Sequence, residues 1–324
     1  MCATLTTGAD AIRRDATRCP RVLPRRIALH RTTTTNFAGV TTPPNWNALR
    51  DRWPNATSSR FVDAAGLRWH VQLEGTGPTI VLLHGSGAAT HSWRDVLPKL
   101  AQRFTVVAID LPGHGFTTRP DAAGMSIAGM SASIRELLRV LDVTPHAITG
   151  HSAGAAIALW LANEWPEAAI VGVNAALAPP NALMSLLTPG VDLLSRTGLT
   201  GFLTAKLAES DFVFDSLMRS TGSVISKEQL ALYRTFATST EHAGAVMSMF
   251  AGWDLAALAR KLPTVRNAVT LIVGLRDEWV PAADTARMAA ALPHARLIEI
   301  PNAGHLAHEE LPDRVADIIE EAAQ

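Results

Sequence analysis

From Arg60 onward, short unbroken apolar runs alternate with longer stretches whose apolar positions recur at helical spacing. "RFVDAAGLRWHVQLEG" alternates on either side of Ala65-Gly66, which predicts two short strands joined by a turn. "PTIVLLHG", "FTVVAID", "HAITG", "AIVGVNAAL", "AVTLIVGLRDE" and "ARLIEIPNAGH" read as further strands, the more continuous runs being those expected of strands buried on both faces. Between and after them the spacing predicts helices over 91–102, 126–141, 153–165, 282–292 and 311–323. This alternation specifies βαβ units and a mostly parallel eight-stranded sheet with helices on both faces, the opening pair forming an antiparallel edge.

Two regions break the pattern. Residues 178–260 are mainly helical, rich in Leu, Met and Phe, with breaks at Pro189-Gly190 and Gly198, and read as an inserted helical cap. Residues 1–58 carry seven arginines in "AIRRDATRCPRVLPRRIALHRTTTTN", a threonine run and almost no periodicity, as a flexible extension would. Its bias resembles an organellar transit peptide, without the apolar region of a secretory signal. The expected division is therefore an extension over 1–58, a core over 59–177 and 261–324, and a cap over 178–260.

Composition narrows the function. The chain has 324 residues, 48% of them hydrophobic, enough for one large core. Its 29 basic and 29 acidic residues balance, so no basic field exists to draw in nucleic acid. Cys2 and Cys19 both lie in the extension, which leaves the body without disulfide or thiolate metal site and suits a reducing compartment. The most apolar stretch, 147–165, is interrupted by His151, Ser152, Asn163 and Glu164, whereas a membrane span needs about 20 apolar residues in a row. A soluble, cytoplasmic protein is expected.

Gly150-His151-Ser152-Ala153-Gly154 reads G-x-S-x-G at a predicted strand-to-helix junction. There a serine is held in a strained turn with its hydroxyl projecting, and the glycines let strand and helix approach. The Ala153 amide would sit at the helix start, where free N–H groups favour a developing oxyanion. A serine needs a base and a group that orients the base. Asp277 after "TLIVGLRD" and His305 after "RLIEIPNAGH" supply them, in the order Ser–Asp–His. The plainer reading of Asp277 is a solvated loop carboxylate or a helix cap. Glu278 is expected to point elsewhere, and His308 to belong to the turn that starts the last helix.

Gly85-Ser86-Gly87 resembles part of a dinucleotide fingerprint, with Asp110 as its acidic partner. Thr90 in the third glycine position, His84 before the first glycine and Pro112 fit it poorly, so no cofactor is expected. The better reading is a second oxyanion donor, the Ser86 N–H joining that of Ala153. "HLAHEE" is neither H-E-x-x-H nor H-x-x-E-H, so no metal is expected. Asp110 and His114 in "DLPGHG" read as structural hydrogen-bonders. Trp93, Trp253, Met247, Met249 and Phe250 are candidates for an apolar pocket, each with core as the alternative.

With strands, elbow, acid and histidine in place, residues 60–324 resemble the α/β-hydrolase superfamily. "SRFVDAAGLRWHVQ", "LLHGSGAATHSWRD", "DLPGHGFT", "GHSAGAAIAL", "WDLAALARKLP" and "AGHLAHEELP" are similar to the magnesium-chelatase accessory protein family of bacteriochlorophyll biosynthesis. "STGS" at 220–223 and "ALYRTF" at 231–236 extend that resemblance into the cap. The resemblance implies an α/β-hydrolase fold and a role near magnesium insertion, with a tetrapyrrole intermediate as substrate or magnesium chelatase as partner. It carries no reaction with it. The residues themselves argue for hydrolysis of a small apolar ester, thioester or amide. A serine at the nucleophile position argues against alkyl-enzyme chemistry. A non-catalytic module that binds a porphyrin or a chelatase subunit, and a general esterase or carbon–carbon bond hydrolase, remain as alternatives.

Overall fold

Eight strands form one sheet: β1 (Ser59–Ala64), β2 (Leu67–Glu74), β3 (Thr79–Leu83), β4 (Thr105–Ile109), β5 (Pro145–His151), β6 (Ala169–Val173), β7 (Val269–Gly274) and β8 (Ala295–Ile300). The computed structural model describes residues 44–177 and 199–324. Cys2, Cys19, the extension up to residue 43, Pro189-Gly190 and Gly198 lie outside them. The strand order is β1-β2-β4-β3-β5-β6-β7-β8; β1–β2 and β2–β4 pair antiparallel and every other pair is parallel. This is the doubly wound sheet the alternation predicts.

Among the described residues, the helices longer than a single turn are α1 (Ile127–Val140), α2 (Ala153–Leu161), α3 (Leu199–Ala208), α4 (Asp211–Arg219), α5 (Lys227–Ala237), α6 (Thr240–Gly252), α7 (Leu255–Lys261), α8 (Ala282–Ala289) and α9 (Pro312–Ala322). The period-2 geometry of a strand sends neighbouring side chains to opposite faces. Val81, Leu83, Val107 and Ile109 join Ile134, Leu137, Ile157 and Leu258 on one side of the sheet. Ile80, Leu82, Val106 and Ala108 join Leu97, Leu100, Ile318 and Ile319 on the other. An unbroken apolar run is what a strand between two such layers requires.

Three boundaries differ from the sequence reading. The helix expected over 91–102 is a 3₁₀ turn at Thr90–Trp93 and a single turn at Leu97–Leu100. Helix α7, counted with the cap by sequence, packs on the sheet side, where Leu258 is buried beside Leu161 and Ala162. The helices α3–α6 therefore end at Gly252. Residues 44–58, expected within the flexible extension, fold onto the body. Trp53 is only 4% exposed and meets His91, Phe116 and Phe236 edge-on at 5.5, 4.8 and 5.6 Å between ring centres. Two tryptophans without periodicity give no helical or strand signal, yet each offers a large apolar surface to a distant partner.

Candidate active site

The elbow is built by backbone geometry. Ser152 has φ 48° and ψ −112°, a conformation costing a non-glycine residue about 1–3 kcal/mol. Backbone bonds to β6, to α2 and to the segment after β6 hold it there: its amide donates to the Val173 carbonyl at 2.9 Å, and its own carbonyl accepts from Ala155 and Ala176 at 3.1 and 3.2 Å. Strand β5 and helix α2 meet so closely that a Cβ at Gly150 would lie 2.2 Å from the Gly154 backbone, and one at Gly154 2.2 Å from the Leu83 carbonyl. Side chains are excluded from both positions. Ala153 opens α2, so its N–H is among those a helix cannot satisfy internally.

The loop after β3 is fixed from beneath. The His84 Nδ1–H donates to the Gly85 carbonyl at 2.7 Å, while its Nε2 accepts from the Leu111 amide at 2.9 Å. Burial lowers the His84 pKa, consistent with this neutral tautomer. Asp110 accepts from the Thr90 and Phe116 amides at 2.7 and 2.9 Å and from His70 Nδ1 at 2.8 Å. Burial pushes its carboxyl up, but His70, His84 and the Phe116 amide together hold it well below the usual range. His114 donates to the Pro112 carbonyl at 3.1 Å. Asp110 and His114 are thus structural. The Ser86 hydroxyl is buried without a partner among the described residues.

Asp277 and His305 meet beyond β7 and β8. His305 Nδ1 lies 2.8 Å from Asp277 Oδ2, with Asp277 8% and His305 2% exposed. Asp277 Oδ1 accepts from the Trp279 and Val280 amides at 2.8 and 2.9 Å, so the carboxylate faces donors on both sides. The Nδ1–H given to Asp277 leaves Nε2 as the ring's basic nitrogen. The His305 carbonyl accepts from His151 Nε2 at 2.8 Å, which binds this turn to the residue just before Ser152. Burial, then His308 and His305, keep the His151 pKa well below its ordinary value, so that ring brings no charge.

Asn174, which sequence reasoning did not single out, joins Asp277 to the elbow. It follows Val173, has φ 47°, and donates from Nδ2 to Asp277 Oδ2 at 2.7 Å and to the Gly304 carbonyl at 3.3 Å. A polar residue ending a buried strand was the only signal for it. Glu278 is exposed, as expected. His308 is buried between the His151 and Trp93 rings at 4.3 and 4.6 Å, with burial lowering its pKa to about 3.

The expected apolar pocket residues are mostly elsewhere. Trp93 and Met249 are core, the Trp253 indole donates to the Met125 carbonyl at 3.1 Å, and Phe250 is 57% exposed. Met247 is half-buried. A 3.6-residue period permits only one face of α6 to turn inward. That face presents His242, whose Nδ1 accepts from the Gly115 amide at 3.3 Å, and Val246, which borders Gly87.

Comparison with known proteins agrees with this architecture. The alpha/beta hydrolase family pattern matches residues 80–318. The magnesium-chelatase 30 kDa subunit of Rhodobacter capsulatus is 35% identical over 275 residues, 84% of this chain and 96% of that one. Haloalkane dehalogenase 2 of Mycobacterium tuberculosis is 29% identical over 272 residues, 81% of this chain and 93% of the relative. The crystal structure of the enol-lactonase from Burkholderia xenovorans superposes with a TM-score of 0.65 at 20% identity, covering 81% of this chain and 99% of the other. Among the described residues, no helix is long and apolar enough to cross a membrane. The chain belongs to the α/β-hydrolase family and is a relative of the magnesium-chelatase 30 kDa subunit.

Proposed function

We propose that the protein is a serine hydrolase in which Ser152 is the nucleophile, His305 the general base and then acid, and Asp277 the group that holds the imidazole. The observation that carries this reading is the buried 2.8 Å contact between His305 Nδ1 and Asp277 Oδ2, on a turn bonded to the residue before a strained serine. His305 Nε2 takes the hydroxyl proton as Ser152 attacks an acyl carbonyl. The Ala153 and Ser86 amides receive the oxyanion, and His305 returns the proton to the leaving group. Water then releases the acid by the same steps in reverse roles. Helices α3–α6 act as a cap that selects a small apolar acyl group.

The relationship to a magnesium-chelatase subunit favours a tetrapyrrole intermediate as substrate, with chelatase contact. The dehalogenase relationship does not extend to chemistry in this reading, because a serine replaces the carboxylate that an alkyl-enzyme ester needs. The same chelatase relationship favours a second reading, a non-catalytic module that binds a porphyrin or a chelatase subunit. Fluorophosphonate labelling followed by peptide mass spectrometry separates the two. The hydrolase reading expects stoichiometric modification at Ser152 that disappears in Ser152→Ala and His305→Ala. Folded protein that stays unlabelled with the cap opened by mutation favours the binding module.

A further inference from the structure

The turn between α4 and α5, Ser220-Thr221-Gly222-Ser223-Val224, belongs to the helical insertion, yet its polar groups bind the two turns that carry Asp277 and His305. The His305 amide donates to the Thr221 carbonyl at 2.9 Å, and the Leu306 amide to Ser223 Oγ at 2.8 Å. The Trp279 indole N–H reaches Ser220 Oγ at 3.0 Å. Gly222, at φ +69°, comes so near that a Cβ there would lie 1.8 Å from the Arg276 carbonyl, and a Cβ on Gly304 would lie 2.4 Å from Gly222.

One buried carboxylate completes the arrangement. Glu310, its side chain 5% exposed, accepts from the Gly304 amide at 2.7 Å through Oε2. Through Oε1 it accepts from the Val224 amide at 3.0 Å and from Arg276 at 3.2 Å. It therefore holds the residue before His305, the residue before Asp277 and the insertion's turn at once. Neither the proton transfers nor the oxyanion donors use it. Its donors are all N–H groups, which a carboxylate satisfies and an amide cannot.

We propose that Glu310 and the Ser220–Val224 turn are positioning elements that set the orientation of His305, so that the general base takes its geometry from the helical insertion as well as from the sheet. This rests on the reading of His305 as the base. A shift of about 1 Å in a reacting group costs on the order of a hundredfold in rate, which gives a clamp of this kind its leverage.

The test uses the full chain with p-nitrophenyl butyrate and a fluorophosphonate, comparing Glu310→Gln and Ser223→Ala with Glu310→Asp and Ser223→Thr. In Glu310→Gln and Ser223→Ala we expect kcat per labelled Ser152 to fall about ten- to a hundredfold, with KM within about twofold. The acid limb of their pH–rate profiles should shift. Ser223→Thr, which keeps a hydroxyl acceptor, should recover to within about threefold of the wild type. If Glu310→Gln does not fold, the Ser223 pair decides. A lower labelled fraction with unchanged rate per labelled site and an unshifted profile would mean a merely structural role and overturn the proposal. Wild-type protein that never labels at Ser152 overturns the hydrolase reading and this proposal with it. Labelled wild type with variants of equal rate overturns this proposal alone.

Discussion

Replacing Asp277 by asparagine changes one oxygen for a nitrogen at a position where all four recorded partners are donors. Oδ1 faces the Trp279 and Val280 amides, and Oδ2 faces Asn174 Nδ2 and His305 Nδ1. An amide must turn its NH₂ toward one of these pairs. Toward Trp279 and Val280 it would strip two buried backbone N–H groups of their acceptor, at about 1–3 kcal/mol each. Toward Asn174 and His305 it strips only the Asn174 amide, because the imidazole can answer by moving its proton to Nε2. The second arrangement is therefore the more stable, and in it the base cannot accept the serine proton. The expected loss in kcat/KM is about 10⁴-fold, or about 5 kcal/mol of transition-state stabilisation, with only about 1–3 kcal/mol lost from folding. Hydrolysis of p-nitrophenyl butyrate and urea melts on the same preparations measure both quantities. A folded Asp277→Asn that kept more than about a tenth of wild-type kcat/KM would refute the role given to His305.

Three further outcomes follow from other parts of the molecule. Gly154→Ala should cost more than about 3 kcal/mol in urea melts, since its methyl would meet the Leu83 carbonyl at 2.2 Å and backbone cannot step aside as a side chain can; a neutral result would mean the elbow is looser than described. Trp53→Ala should destabilise the body by about 3–5 kcal/mol, because this ring packs on Phe236 and Phe116; an unchanged melt would detach residues 44–58 from the fold. The third concerns acid. Burial lowers the pKa values of His91 and His308 to about 3 and of His242 to about 4, whereas the unfolded chain titrates near 6.5. Below about pH 6.5 the unfolded state takes up protons that the folded state refuses, so their contribution is complete above that pH and drains as pH falls toward about 4. His91→Phe should flatten the slope of unfolding free energy between about pH 6 and pH 4 by about 1.4 kcal/mol per pH unit, and an unaltered slope in urea melts would count against a neutral buried ring there.

What could be read from the sequence was what short segments encode by themselves. The five central strands declare themselves because a strand covered on both faces must be mostly apolar, and β3–β7 are, the exceptions being single threonines in β3, β4 and β7 and His146, Thr149 and His151 in β5. The Ser152 elbow is compact enough to be written in five residues. Asp277 and His305 could be located because they closely follow β7 and the edge strand β8. Asn174, Ser223 and Glu310 could not, since each matters through a partner far along the chain: Asp277 is 103 positions from Asn174, and Val224 is 86 from Glu310. Nothing beside an asparagine or a glutamate announces such a partner. Trp53 was obscured for the same reason, its edge-on partner Phe236 lying in the helical insertion. The helix expected over 91–102 failed locally instead: its apolar spacing is right, but the chain tightens to a 3₁₀ turn and pauses before Leu97.

The three residues of the proposed triad are synthesised in the order Ser152, Asp277 and His305, and His305 follows β8, which lies at the edge of the sheet. A nascent chain that has left the ribosome as far as β6 already holds Ser152 and the strands flanking its elbow, yet contains neither Asp277 nor His305. The insertion must then be synthesised before either arrives, and long-range pairing of this kind is slow to form. Throughout that interval, in the serine hydrolase proposed above, the hydroxyl has neither the base nor the orienting carboxylate beside it. In that reading the nucleophile matures only once β8 has docked at the sheet edge, so its maturation coincides with completion of the fold.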